Sequence, residues 1–225
     1  QILLLIFSSM QYWQIAKLMT LGVNSNEDSY RLTDRFLFAF EYAIIYRKYL
    51  LPAKCQHPKK VGRYIKMKLT ILGTGNAKVT KCYNTCFALN EDKEYFMIDG
   101  GGGNTILKQL EDAGISWKEI STIFVTHKHI DHLLGIIWML RMYCQGMARG
   151  QFGGEVTIYG HDEVISLLKQ TAEMLLTPKE TKFIGDKVHL EEVKDGEDRT
   201  ILGHRVTFFD ILSTKAKQFG FCMEY

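Results

Sequence analysis

Short hydrophobic runs recur along this chain from Met67 onward, each broken by glycine, asparagine or charged residues. The first, beginning at Met67, ends in Gly73, Thr74, Gly75 and Asn76, as a strand entering a tight loop should. The same texture predicts strands at Tyr83–Leu89 and Glu94–Asp99, then, past the glycines of Gly100–Gly103, a helix over Asn104–Ala113. A buried strand is expected at Ser121–Thr126, followed by the polar stretch His127–His132 and a helix from about Asp131 to Cys144. Beyond it come a strand at Glu155–Tyr159, a helix at Asp162–Leu176, and strands at Val188–Val193, Arg199–Leu212 and Phe219–Glu224. Strands and helices alternate in the middle while strands gather at both ends. The pattern predicts a layered α/β domain with mixed sheets, not a strictly alternating doubly wound one.

Ahead of Met67 the pattern is different. Two apolar clusters, Ile2–Phe7 and Phe36–Tyr46, stand apart, the second interrupted by Glu41. Neither approaches the roughly 20 apolar residues that span a bilayer. Ile2–Phe7 could be the tail of a signal-peptide core, but no convincing small-residue cleavage site follows it. Phe36–Tyr46 reads as a helix, with Thr33 or Asp34 as N-cap and Pro52 just past its end. Its aromatic-rich face suits buried packing better than a membrane anchor. Lys54–Lys66 reads as a basic linker holding Pro58 and Gly62. The chain starts at Gln1, not Met, and stops at Tyr225 without a polar tail, so both ends read as cut.

Charge sharpens that division. The formal net charge of +3 hides 10 basic against 4 acidic residues in 1–66, and 18 basic against 21 acidic in 67–225. We therefore expect an N-terminal extension of unknown role over 1–66, not necessarily part of the natural domain, and a separate domain over 67–225. The larger part is not a basic nucleic-acid surface by composition. The 46% hydrophobic content of the whole chain excludes disorder. Five cysteines, Cys55, Cys82, Cys86, Cys144 and Cys222, do not make a secreted disulfide framework, so a reduced, cytoplasmic setting is the simpler reading. No membrane partner is expected.

The candidate chemistry is concentrated in six residues. His127, His129, Asp131 and His132 follow directly on the apolar Ile123, Phe124 and Val125. Imidazole and carboxylate suit zinc and similar divalent ions. His127 and His129, two apart at an extended strand end, can project to one side and grip one ion. Asp131 and His132, in the first turn of the next helix, point toward a second. That helix start adds N–H groups and a positive dipole end, which favour an anionic substrate or a metal-bound hydroxide.

The stretch Thr126–His132 resembles the signature of the metallo-β-lactamase superfamily. Leu72–Ala77, Asn84, Met97–Gly102, Ile123–Gly135 and Ile158–Gly160 resemble its ribonuclease Z branch. The resemblance spans about Met67 to Tyr225. It implies an αββα sandwich, here apparently incomplete at the C-terminus, with a dinuclear site, usually zinc, at one edge of two sheets. His127 and His129 would bind the first metal, Asp131 and His132 the second. Asp131 would also hold the bridging hydroxide and steer its proton, and Asp99 would support the site from behind its ligands. The implied activity is that of a metal-dependent hydrolase, a phosphodiesterase cutting precursor tRNA at its 3′ side. A hydrolase of a small phosphodiester, ester or lactone and a non-catalytic or truncated homologue are the alternatives. A homodimer is among the assemblies considered.

The pattern also departs from the family. A third histidine is expected shortly before Phe219, Gly220 and Phe221, where Leu212 or Thr214 stands instead. His161, His189 and His204 are the available substitutes. No candidate exists for the bridging aspartate or last histidine, so the chain reads as a fragment that binds metal weakly. Gly73–Lys78 fits neither a dinucleotide fingerprint nor a P-loop and reads as a tight turn. Gly100–Gly103 could cradle a phosphate or simply pack closely. Lys215, Lys217 and Gln218 could meet phosphate, though a solvated strand edge is the plainer reading. Cys82 and Cys86 lack a second pair for a zinc ribbon.

Overall fold

The computed structural model describes residues 2–6, 19–20 and 67–224. The helix expected over Phe36–Tyr46 and the linker Lys54–Lys66 lie outside the described residues. Six strands form the first sheet, in the order in which they occur: β3 (Lys68–Gly73), β4 (Cys86–Glu91), β5 (Glu94–Ile98), β6 (Ile120–Val125), β7 (Val156–Gly160) and β8 (Val188–Glu192). The pairs β3/β4 and β4/β5 are antiparallel hairpin partners, whereas β5 through β8 run parallel. Parallel neighbours need crossovers. Those crossovers carry α1 (Thr105–Asp112), α2 (Ile130–Ala148), α3 (Asp162–Leu175) and the short α4 (Pro178–Thr181). The second sheet is antiparallel throughout, ordered β2 (Met19–Thr20), β1 (Ile2–Ile6), β11 (Phe219–Glu224), β10 (His204–Asp210) and β9 (Glu197–Ile201).

Alternation along β6 shows why these layers stack. Ile123 and Val125 belong to the core shared with Ile136, Met139 and Leu140 of α2, while Phe124 between them faces the second sheet. There its ring meets Phe208 at 4.8 Å and Phe221 at 5.8 Å, and Phe96 meets Phe221 at 5.3 Å. A central parallel strand buried on both faces needs this continuous apolar run. Each fully buried phenylalanine contributes about 1.5–3 kcal/mol by leaving water. The described residues thus supply three layers: helices, mixed sheet, antiparallel sheet. Among them no helix is long and apolar enough to cross a membrane.

Several expected boundaries shift for local reasons. The strand expected from Tyr83 begins at Cys86, because the preceding backbone pairs with the glycine turn: Thr74 and Gly75 N–H donate to Tyr83 O, and Thr85 N–H to Gly75 O. The single strand expected over Arg199–Leu212 is a hairpin instead. Leu202 and Gly203 take positive φ of 51° and 75°, and Ile201 pairs with His204. That is a two-residue turn of the kind whose twist suits a hairpin, and the apolar Leu202 conceals it. The helix expected to close at Cys144 continues to Ala148, since Tyr143, Cys144 and Met147 are all buried on its inner face.

Because β5, β6 and β7 are parallel, their C-terminal ends emerge along one edge. Asp99, the His127–His132 stretch and His161 all follow directly on those ends. Ligand sites of parallel sheets gather at such an edge.

Candidate metal centre

Asp99 caps β5 with φ 55°, its N–H bonded to Phe124 O at 2.9 Å. Its carboxylate is buried and turned toward the neighbouring loop. Oδ1 accepts the Thr126 N–H at 2.9 Å, Oδ2 accepts the Thr126 hydroxyl at 2.9 Å, and Oδ2 lies 2.7 Å from His132 Nδ1. Proton counting then orients the imidazoles. Facing a carboxylate, the Thr126 hydroxyl donates, so its lone pair faces His127 Nδ1 at 3.0 Å and the proton there belongs to Nδ1. His127 Nε2 is left as a bare lone pair, buried and without a hydrogen-bond partner. His132 likewise donates through Nδ1, leaving Nε2 free at 3.5 Å from Asp131 Oδ2. The His127 ring centroid lies 4.2 Å from that of His132 and 4.6 Å from that of His129. His129 occupies the N-cap position of α2 with extended backbone, and its side chain is not spent on capping.

The glycines hold this arrangement at close range. Gly100 N–H donates to His132 O at 2.8 Å, and Gly135 N–H to Gly101 O at 2.9 Å. A Cβ on Gly135 would sit 1.7 Å from Gly100 O. The Tyr83 hydroxyl lies 2.8 Å from Gly100 O and 2.7 Å from Gly103 O, locking the loop. The N–H groups of Gly100 and Gly103 are engaged by His132 O and the Tyr83 hydroxyl, so the run packs α2 against β5. Gly73 plays a similar part at the first turn, where a Cβ would meet Asn84 O at 2.0 Å.

The remaining candidates separate clearly. His189 lies 3.6 Å from Glu155 and pairs in register with Thr157, near the opposite end of β7. His204 Nε2 lies 2.6 Å from Glu91 Oε2. Neither shares the loop's edge. His161 does: it is wholly buried as the N-cap of α3, with Nδ1 3.3 Å from Asp162 Oδ1 and Nε2 without a partner. Lys217 pairs with Asp162 at 2.6 Å and Lys128 with Glu163 at 2.7 Å, so each already has a carboxylate. Leu212 and Thr214 stand exposed where a third histidine was expected, Leu212 with φ 56°. Thr126 was missed by sequence reasoning; nothing but its place beside His127 signals its bridging hydroxyl.

Electrostatics divide the two central imidazoles. Burial, and then the neighbouring His132 charge, push His127 down to about 3. Burial also opposes charge on His132, but the charge and hydrogen bond of Asp99, followed by Asp131, outweigh it and raise its pKa. In the metal-free protein the contribution of His127 is therefore complete above the ordinary imidazole value of about 6.5 and is lost as pH falls below it. That of His132 is complete below about 6.5 and is lost as pH rises through its elevated value. On the acid side the unfolding free energy should therefore fall by about 1.4 kcal/mol per pH unit on account of His127, and not of His132. His127→Leu should flatten the acid limb in denaturant titrations at successive pH values; an unchanged slope would remove His127 as its source.

Among the described residues, no three His, Cys, Asp or Glu side chains form a ready metal cage. The donor chemistry nevertheless suits a divalent ion: a buried imidazole lone pair with no hydrogen to accept, beside two further imidazoles and a carboxylate.

Residues 67–224 match the family model described as Anti-Pycsar protein Apyc1. A ribonuclease Z from Methanothermobacter thermautotrophicus is 42% identical over 76 residues, covering 33% of this chain and 24% of that protein. Among solved structures, the metallo-β-lactamase fold protein YhfI from Bacillus subtilis superposes with TM-score 0.55 at 16% identity, over 70% of this chain and 58% of that one. The short form of human tRNase Z gives 0.51 at 19%, over 69% and 63%. The chain thus spans only part of these relatives' length. The fold is that of the metallo-β-lactamase superfamily, and the sequence resembles its ribonuclease Z branch.

Proposed function

The chain belongs to the Anti-Pycsar protein Apyc1 family, and from that premise, joined to the histidine loop, we propose that it is a metal-dependent hydrolase of phosphodiesters. The observation that carries this reading is the buried, unpartnered Nε2 of His127 at a strand end crowded with imidazoles. His127 and His129 would hold one ion, and Asp131 and His132 a second, with zinc the ion this donor set suits. Divalent ions there supply Lewis acidity and lower the pKa of water so that it ionises near neutral pH. Asp99 and Thr126 keep His132 and His127 in the tautomer that frees Nε2. Asp131 takes the proton of the attacking water at its carboxylate. The first N–H groups of α2 favour the anionic phosphate beside them. A reduced, cytoplasmic setting belongs to the same reading; among the described residues Cys82, Cys86, Cys144 and Cys222 are free.

The ribonuclease Z relatives support precursor tRNA as substrate. A second reading, a small phosphodiester, is favoured by the charge balance, since acidic residues outnumber basic ones over 67–225. Zinc- or manganese-supplemented protein should hydrolyse bis(p-nitrophenyl) phosphate, lose that activity to a chelator and regain it on adding metal. Parallel assays with precursor tRNA and with a dinucleotide decide between the substrates. No turnover of any of the three by metal-loaded protein would overturn the hydrolase reading in favour of a non-catalytic homologue.

A further inference from the structure

Two imidazole Nε2 atoms are buried without a partner among the described residues, and the fold brings their strands together. In the parallel pairing of β6 with β7, Val125 is opposite Gly160. His127 follows two residues beyond Val125, and His161 directly beyond Gly160. Adjacent strands lie about 4.8 Å apart, so both side chains leave the sheet at one edge. The contact of Nδ1 with Asp162 Oδ1 at 3.3 Å puts the His161 proton on Nδ1 and leaves Nε2 as a lone pair. Asp162 is itself held by Lys217 at 2.6 Å. The arrangement repeats the one on the other side of the loop, where Asp99 fixes Nδ1 of His132. Carboxylates that fix one ring nitrogen and so direct the other are the usual support of metal-ligating histidines.

The second sheet closes the remaining side. Phe219 N–H donates to Thr126 O at 2.9 Å, and the Phe219 ring packs on His161 with centroids 5.5 Å apart. His161 is wholly buried in this corner. An acceptor left unsatisfied there is costly, and a missing ion or water is the usual explanation of such an atom. Where a third histidine was expected, meanwhile, stand Leu212 and Thr214, both exposed. We propose that His161 supplies this third imidazole, ligating through Nε2 the ion held by His127 and His129. The assignment rests on the metal-dependent reading proposed for the loop. It moves the ligand from the second sheet's loop to the end of β7.

The test is metal binding by the whole chain, without reference to turnover. Metal-free wild type, His161→Ala, His161→Gln and His127→Ala are titrated with zinc against a chromophoric chelator and with cobalt followed by visible absorption. Circular dichroism checks that each variant is folded. Both His161 variants should bind zinc at least tenfold more weakly than wild type and show a changed cobalt spectrum. His127→Ala should lose the tighter site. Wild-type zinc affinity and spectrum in a folded His161 variant would overturn the role of His161 and leave the metal loop standing. If wild type binds neither metal, the underlying reading falls as well. Should His161→Ala unfold, the isosterically closer His161→Gln decides.

Discussion

Asp99→Asn is expected to weaken zinc binding and phosphodiester hydrolysis by about 10- to 100-fold while the protein remains folded. Position 99 has a φ of 55°, a conformation that asparagine accepts more readily than most residues. The amide oxygen can replace Oδ1 as acceptor of the Thr126 N–H. The amide nitrogen, however, now faces His132 Nδ1, which must become an acceptor. The ring proton then moves to Nε2, where it points at Asp131 and blocks the lone pair intended for a metal. Stability should fall by no more than about 2 kcal/mol, the worth of one charged hydrogen bond. Asp99→Ala should cost more, about 3 kcal/mol, because it strains a positive φ and orphans several buried donors. Zinc titration and denaturant unfolding of both variants check the pair. Unchanged zinc affinity in Asp99→Asn would show that the tautomer of His132 does not matter.

Gly135→Ala should destabilise the fold by about 3 kcal/mol or more, since the added methyl would lie 1.7 Å from the Gly100 carbonyl oxygen. The obstacle is backbone, which cannot rotate away. Relief requires α2 to withdraw from β5, and the hydrogen bond from Gly100 N–H to His132 O is the first to break. The same change should therefore loosen zinc binding in whatever fraction stays folded. Gly103→Ala is the control, since a methyl group there would meet no atom within 4 Å. Equal unfolding midpoints for the two variants would show that the close approach is not a constraint.

How far the sequence reveals all this depends on how local each feature is. The strand feeding His127–His132, the glycine breaks and the helix after them are local, and the apolar pattern announces them. Asp99 is legible through the family signature, but its pairing with Thr126 and His132 is not, because they lie across a strand pair. The hairpin at Leu202 and Gly203 escapes because an apolar residue occupies a turn. The proximity of His161 to His127 escapes for a different reason. It follows from β7 lying next to β6, and strand order is a property of the sheet, not of any segment. His189 and His204 looked as eligible as His161 until the topology sent them elsewhere.

The hydrogen bond from Phe219 to Thr126, which walls the corner beside His161, also makes the segment before it an arch with fixed feet. Ile211 N–H donates to Gln218 O at 3.0 Å and closes the span at its base. Between those feet Leu212, Thr214 and Lys215 are exposed. Lengthening a flexible span between anchored ends costs only about 0.6 kcal/mol per doubling. The exposed part of the arch, Leu212 to Lys215, can thus change in length at little cost, whereas Lys217 is tied through Asp162 to His161. A change in the exposed residues therefore acts on the rim of the corner, and a change at Lys217 acts on the histidine itself.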